Sequence, residues 1–105
     1  FIDSKLAEPQ LSLNLVAEQN RVSHRYIQKL FESRGISFVN YVRMRRLDRC
    51  RYELGHPEYR HLSVSDICFR WGFNDAGHFS RVFRSEYEIT PRDYRRQQNQ
   101  VFENA

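Results

Sequence analysis

The stretch Ile67-Cys68-Phe69-Arg70-Trp71-Gly72-Phe73-Asn74-Asp75-Ala76-Gly77-His78-Phe79-Ser80-Arg81-Val82-Phe83-Arg84 decides the fold. Just ahead of it, Ser63 with Asp66 three residues on has the pattern of a capping box. Val64, Ile67 and Cys68 then fall at i, i+3 and i+4, which is one face of a helix. Trp71-Gly72-Phe73 reads as a short turn. Asn74 follows as a cap, because its side-chain oxygen can accept from the free N–H groups of a helix start. At about 100° per residue, Ala76, Phe79, Val82, Phe83 and Tyr87 share an apolar face. Gly77, His78, Ser80, Arg81, Arg84 and Ser85 share the opposite one.

The same order of residue types occurs earlier in the chain. Val16-Ala17-Glu18, Val22-Ser23, Leu30-Phe31, Ile36-Ser37 and Tyr41 match Ile67-Cys68-Phe69, Phe73-Asn74, Val82-Phe83, Ile89-Thr90 and Tyr94. The order argues for a duplicated unit. In the first copy Ser12 caps a helix with Leu13, Leu15 and Val16, Asn20-Arg21-Val22 turns, and Ser23 caps the next helix. There Tyr26, Ile27, Leu30 and Phe31 form the packed stripe, and His24, Arg25, Gln28, Lys29 and Glu32 the polar face. Each unit is thus a helix, a three-residue turn and a second helix rich in donors on its outer side. That is a helix-turn-helix, whose second helix fits a DNA major groove about 12 Å wide.

Between the units, Ser37-Phe38-Val39-Asn40 opens a long helix running to Leu54, with Phe38, Tyr41, Val42, Leu47 and Leu54 as its buried positions. Gly55-His56-Pro57 breaks it. Thr90-Pro91-Arg92-Asp93 opens the last helix, with Pro where its missing N–H does no harm. A continuous helix over 37–54 spans about 26 Å at 1.5 Å per residue. Its ends could hold two reading helices in successive major grooves, about 34 Å apart on one DNA face. The expected architecture is all-α, about seven helices: a first helix-turn-helix subdomain over 1–36, the linker helix over 37–54, a second subdomain over 55–96, and a polar, frayed tail over 97–105.

Composition agrees with that reading. Of 17 basic residues in 105, all but Lys5 and Lys29 are Arg, and the net charge is +4. The planar guanidinium fork suits phosphates and guanine edges. Residues 1–54 carry ten basic and six acidic side chains, whereas 55–105 carry seven of each, so the grip on a polyanion should lie in the first half. No apolar run approaches the roughly 18 residues of a spanning helix. Cys50 and Cys68 are too few for a disulfide framework and read as buried thiols of a reducing, cytoplasmic protein.

The second unit, from Ile67 to Arg84 and closing with Ile89-Thr90-Pro91-Arg92-Asp93-Tyr94-Arg95, closely resembles the signature of the AraC/XylS family of bacterial transcription regulators. Val16-Ala17-Glu18, Val22-Ser23, Tyr26-Ile27-Gln28-Lys29-Leu30-Phe31 and Tyr41-Val42-Arg43 resemble its first unit, and the likeness covers about residues 7–96. The resemblance implies sequence-specific binding of double-stranded DNA at promoters, usually to activate transcription, with RNA polymerase as protein partner. It also implies an effector or dimerisation domain ahead of this one, and the start at Phe1 fits its removal. The implied reading positions are His24, Arg25, Gln28 and Lys29 in one unit, and Ala76, Gly77, His78, Ser80 and Arg81 in the other. Arg21, Ser23, Arg43, Arg46, Asn74, Arg84 and Arg92 are candidate phosphate contacts. Two positions depart from the pattern: Arg21 stands where Gly is common in the first turn, and Glu88 near where Gly usually precedes the hydroxyl–Pro pair. The helix end before Thr90 must therefore be built differently.

Blander readings remain beside these. Arg43 to Arg51 could pair with Asp48 or Glu53 on their own helix instead of touching phosphate. His24, His56, His61 and His78 lack ligand spacing, so no metal is expected. No nucleophile, base and orienting group come together, so neither an enzyme nor a cofactor is expected. An RNA-binding module would want exposed aromatics, and a protein-interaction bundle an apolar exposed patch. Here Trp71, Phe73 and the other aromatics fall mostly on buried stripes.

Overall fold

The computed structural model describes residue 7 and residues 23–103. Among these residues there is no strand. Five α-helices follow one another: α1 His24–Ser33, α2 Phe38–Gly55, α3 Val64–Arg70, α4 Ala76–Tyr87 and α5 Pro91–Glu103, with a 3-10 turn over Pro57–Tyr59. The helix expected from Ser12 and the turn Asn20-Arg21-Val22 lie outside the described residues, so the count of seven is not reached here. No described helix is long and apolar enough to cross a membrane.

Each helix starts where a side chain can accept from its free N–H groups. Ser23 Oγ accepts from Tyr26 N at 3.0 Å and Ser37 Oγ from Asn40 N at 3.1 Å. Ser63 and Asp66 form the complete reciprocal box, at 2.9 and 3.0 Å. Thr90 Oγ1 accepts from Asp93 N at 3.1 Å, with Pro91 the first helical residue. One cap differs from expectation: α4 is capped by Asp75, whose Oδ1 accepts from His78 N at 3.0 Å, and not by Asn74. The helix begins at Ala76, so Asn74 stands one residue too early to reach its first turn.

The 18-residue α2 is the rod on which the rest is built. Phe38 and Val42 near its start pack with Ile27 of α1, and Phe31 and Tyr41 border that cluster. Leu47, Cys50 and Leu54 further on pack with Ile67 and Cys68 of α3, Phe73 of the turn, and Phe79 and Phe83 of α4. At about 100° per residue the two buried groups lie roughly 130° apart around the helix. A single helix therefore serves two cores on different sides. Trp71 touches both clusters and joins them. Phe79 and Phe83 are wholly buried, and each such side chain contributes about 1.5–3 kcal/mol by leaving water. In α1 the buried stripe is narrower than expected: Ile27 is buried, but Tyr26 and Leu30 are about half exposed.

The tail is a correction. Instead of fraying from residue 97, α5 continues to Glu103. Tyr94, Gln98 and Phe102, four residues apart, line its inner side against the end of α2. A Cβ at Gly55 would lie 3.1 Å from Gln98 Cγ and 3.2 Å from Tyr94 Cε1, and the Phe102 and His56 rings are 6.3 Å apart. Arg95 secures the loop beneath by donating to Leu62 O at 2.6 Å and Tyr59 O at 2.8 Å.

The departure at Glu88 also has its structural answer. Glu88 takes the left-handed conformation, φ 61°, ψ 22°, and closes α4 by donating its N–H to Arg84 O. Gly35, at the matching place after α1, has φ 69°. The two units share a bend that one makes with glycine and the other with glutamate.

Candidate nucleic-acid interface

On α1, Arg25, Gln28 and Lys29 are exposed side by side, four and three residues apart, on the face turned from Ile27. The side chain of His24 and the whole of Arg21 lie outside the described residues. Ser23 is exposed and occupied as the α1 cap. The first turn of α1 contains no acidic residue of its own.

On α4, Gly77, His78, Arg81 and Arg84 are exposed and Ser80 is half-buried. They do not form one uniform face. His78 turns toward the linker helix and lines, with Arg43 and Arg46, a crevice of about 210 Å³ floored by Phe38, Val42 and Phe73. Ser85 lines a second crevice with Arg43, Asn40 and Glu86. Arg43 therefore sits between two turns of α4. Arg81 instead lies back along its own helix, with Nη1 3.5 Å from where a Cβ on Gly77 would be. Asn74 is exposed in the turn, and Arg92 is exposed in the first turn of α5.

The arginines of α2 divide. Arg46 packs under the α3–α4 turn: Gly72 has φ +93°, and a Cβ there would lie 3.1 Å from Arg46 Nε and Cζ. Burial pushes the Arg46 guanidinium below its ordinary pKa, partly offset by Cys50. Arg49 approaches the Trp71 ring, with Cζ 6.0 Å from its centroid, and Arg51 lies 4.6 Å over Tyr87. The expected acidic partners are engaged elsewhere. Buried Glu53 takes the Arg70 fork, Nε at 3.0 Å and Nη2 at 3.3 Å, and Asp48 accepts from the Tyr87 hydroxyl at 2.7 Å.

Asp75 is the residue the sequence reading passed over. It caps α4, and its carboxyl is held below the usual range, first by the N–H of His78, with smaller help from Gly77 and the charges of Arg81 and His78. The clue was available, since Asp ranks with Asn among the favoured caps. Both thiols are buried, and desolvation raises them above the ordinary value, Cys68 to about 11. Among the described residues no group of three or more His, Cys, Asp or Glu side chains could hold a metal.

A family model described as a helix-turn-helix domain matches residues 16–97. The chain belongs to the AraC/XylS-type helix-turn-helix family. That family is one of DNA-binding transcription regulators and not of enzymes. The chain is similar to the transcriptional activator RhrA of Rhizobium meliloti (strain 1021), at 40% identity over 95 residues, covering 90% of this chain and 30% of that protein. It is 38% identical over 87 residues to the transcriptional activator RhaS of Escherichia coli O139:H28, covering 82% of this chain and 30% of RhaS. The chain thus spans about 30% of the length of these curated relatives. Among solved structures, an AraC-type transcriptional regulator from Chromobacterium violaceum superposes with a TM-score of 0.82 at 32% identity, over 92% of this chain and 84% of the other.

Proposed function

We propose that the chain binds double-stranded DNA sequence-specifically, as the DNA-reading part of a bacterial transcription activator. The reading helices are α1 and α4. They enter successive major grooves of one asymmetric site, held in relation by α2. The 1–36 and 55–96 segments act as the two helix-turn-helix units and 37–54 as their link. The observation that carries this is the pairing of two donor-bearing helix faces on one rod: Arg25, Gln28 and Lys29 on α1, and Ser80 and Arg81 on α4. The rod is 18 residues, about 27 Å at 1.5 Å per residue, which suits probes set one DNA turn of about 34 Å apart.

Within this reading, Arg25 and Gln28 read bases, because both have the reach for bidentate contacts. Lys29 and His24 are the other candidates of the first reading face. The second unit reads less, since Ala76 and Gly77 offer no side-chain donors. Arg43 and His78, which line one crevice at the seam between the units, take backbone phosphate. Ser23, Asn74, Arg84 and Arg92 supply further phosphate contacts at helix starts and edges, with Arg21 and Arg46 as the remaining candidates. Activation follows the named activities of RhrA and RhaS, with RNA polymerase as the partner an activator requires and the bacterial cytoplasm as its place of action.

Selection of bound duplexes from random DNA tests the reading. The expected product is a single extended site with two unlike elements in direct order and no palindrome, bound more weakly as salt rises. Recovery of no consensus would overturn sequence-specific reading. A consensus confined to one groove would overturn the role of α4.

A further inference from the structure

The larger of the two crevices beside Arg43 lies between α2 and the later turns of α4 and has a volume of about 310 Å³. That is the low end of the range for small-molecule pockets, about 300–1,000 Å³, which combine an apolar lining with a few placed polar groups. Here Ile36, Met44, Leu47 and Val82 supply the apolar lining. Ile36 is the informative one. Its match in the second unit, Ile89, packs against the core there. Ile36 is half-buried and, among the described residues, packs against neither buried cluster. Met44 adds an unbranched side chain that adjusts to what it meets. Only two of the lining side chains are charged, Arg43 from α2 and Glu86 from α4, and they have opposite sign. Among the described residues neither takes part in a hydrogen bond or ion pair, with the other or with a third group.

We infer that this crevice is a binding site for a small zwitterion with an apolar side chain, of the class of leucine and the other apolar α-amino acids. The ligand carboxylate meets Arg43, its ammonium meets Glu86, and its side chain covers Ile36, Met44 and Val82. A simple anion satisfies Arg43 but is repelled by Glu86, and a simple cation does the reverse. An uncharged apolar molecule draws water from both charges and returns nothing to either. A molecule that carries both signs beside an apolar group answers all three features at once. The consequence for DNA rests on the DNA-binding reading above: Arg43 held by the ligand is withdrawn from phosphate, so ligand and DNA weaken each other by the same factor.

Heteronuclear NMR titration of the full chain with L-leucine tests the site without DNA. The methyl signals of Ile36, Met44 and Val82 should shift saturably, with a Kd of about 1 mM or tighter. Three probes each lack one feature: leucinamide the carboxylate, isocaproate the ammonium, and glycine the side chain. Each should bind at least about tenfold more weakly than leucine. Arg43→Gln should weaken leucine by a similar factor yet bind leucinamide no more weakly than the parent chain does. Glu86→Gln should do the same for leucine and isocaproate. Equal binding of leucine and any of the three probes, or no saturable shift up to about 10 mM, would overturn the inference. On the selected duplex, saturating leucine should lower affinity and reduce the slope of log affinity against log salt by about one unit. Leucine that binds and leaves that slope unchanged would overturn the competition at Arg43 while the ligand site stands. Failure of the wild-type chain to choose any duplex would overturn the DNA-reading proposal, and the leucine titration is read independently of it.

Discussion

Replacing Glu88 by glycine should make the chain more stable, and replacing Gly35 by alanine should make it less so. Glu88 holds φ 61° and Gly35 holds φ 69° at matching places in the two units. A residue with a Cβ gives up about 1–2 kcal/mol in the left-handed region. Glycine escapes this but loses more backbone freedom on folding, about 0.5–1 kcal/mol. The balance for Glu88→Gly is a gain of about 0.5–1 kcal/mol. Glu88 is exposed and its N–H bond to Arg84 O is made by the backbone, so the substitution removes no described side-chain contact. For a domain of this size about 1 kcal/mol moves Tm by about 4–8 °C, so a rise of roughly 2–8 °C is expected. At Gly35 no atom lies within 4 Å of a would-be Cβ, so the loss in Gly35→Ala is purely conformational, about 1 kcal/mol, with Tm falling by a similar amount. Thermal and urea unfolding followed by circular dichroism measures both, with an unchanged m-value confirming that the same structure unfolds. The reasoning fails if the two substitutions move stability in the same direction, because one shared bend then does not explain both.

Four other outcomes follow from named contacts. Arg25→Ala should lose about 1–3 kcal/mol on the selected site and blur one base position, whereas equal loss on random DNA would move Arg25 to the phosphate class. Arg43→Gln should reduce the slope of log affinity against log salt by about one unit, and an unchanged slope would reject its phosphate contact. Phe79→Ala empties a wholly buried site joined to Phe73 and Phe83, at ring separations of 5.0 and 5.7 Å, so stability in urea should fall by about 3–5 kcal/mol; a change below about 1 kcal/mol would mean that this core is not closed. The Asp66 carboxyl lies below its ordinary value because Ser63 donates to it, chiefly from its backbone N–H. Its stabilisation is complete above the unfolded pKa near 4 and disappears as pH falls through the folded value. Asp66→Asn should therefore flatten the acid limb of a plot of urea midpoint against pH, and an unaltered limb would sink that account.

Much of the fold was legible because caps and apolar spacing are local. Ser23, Ser37, Ser63 and Thr90 cap as their positions suggest, and Ile67, Cys68, Phe79 and Phe83 are buried as their helical spacing requires. The misreadings arise where a distant partner decides. Residues 97–103 look polar and loose in sequence, yet Gln98 and Phe102 are drawn into helix by the end of α2. Glu53 reads as a surface partner for its own helix, yet it is buried and taken by Arg70, 17 residues away. Asn74 and Asp75 are both good caps, and only the observed start of α4 chooses between them. For the candidate site, the sequence brings out which side chains share a helix face. It does not reveal that His78 shares a crevice with Arg43 while Arg81 lies back along its own helix, because those directions depend on how α4 lies along α2.

The structure also changes what the arginine excess means. A count of charge treats every arginine of α2 as available to a polyanion. Arg46 instead has its head against Gly72 and under the turn that aims α4, and Arg51 lies on the Tyr87 ring at the far end of that helix. Both hold the second unit to the rod through stem and plane as well as charge. The reason lies in the two-sided burial along α2. A helix whose buried residues face two directions about 130° apart has no single apolar stripe along its length, and long side chains with polar ends cover the seam between the cores. Arg43 is at that seam too, but it stands between two crevices that open to solvent. Substituting Arg46 or Arg51 should thus disturb the setting of α4 before it changes the number of phosphates held, whereas substituting Arg43 should do the reverse.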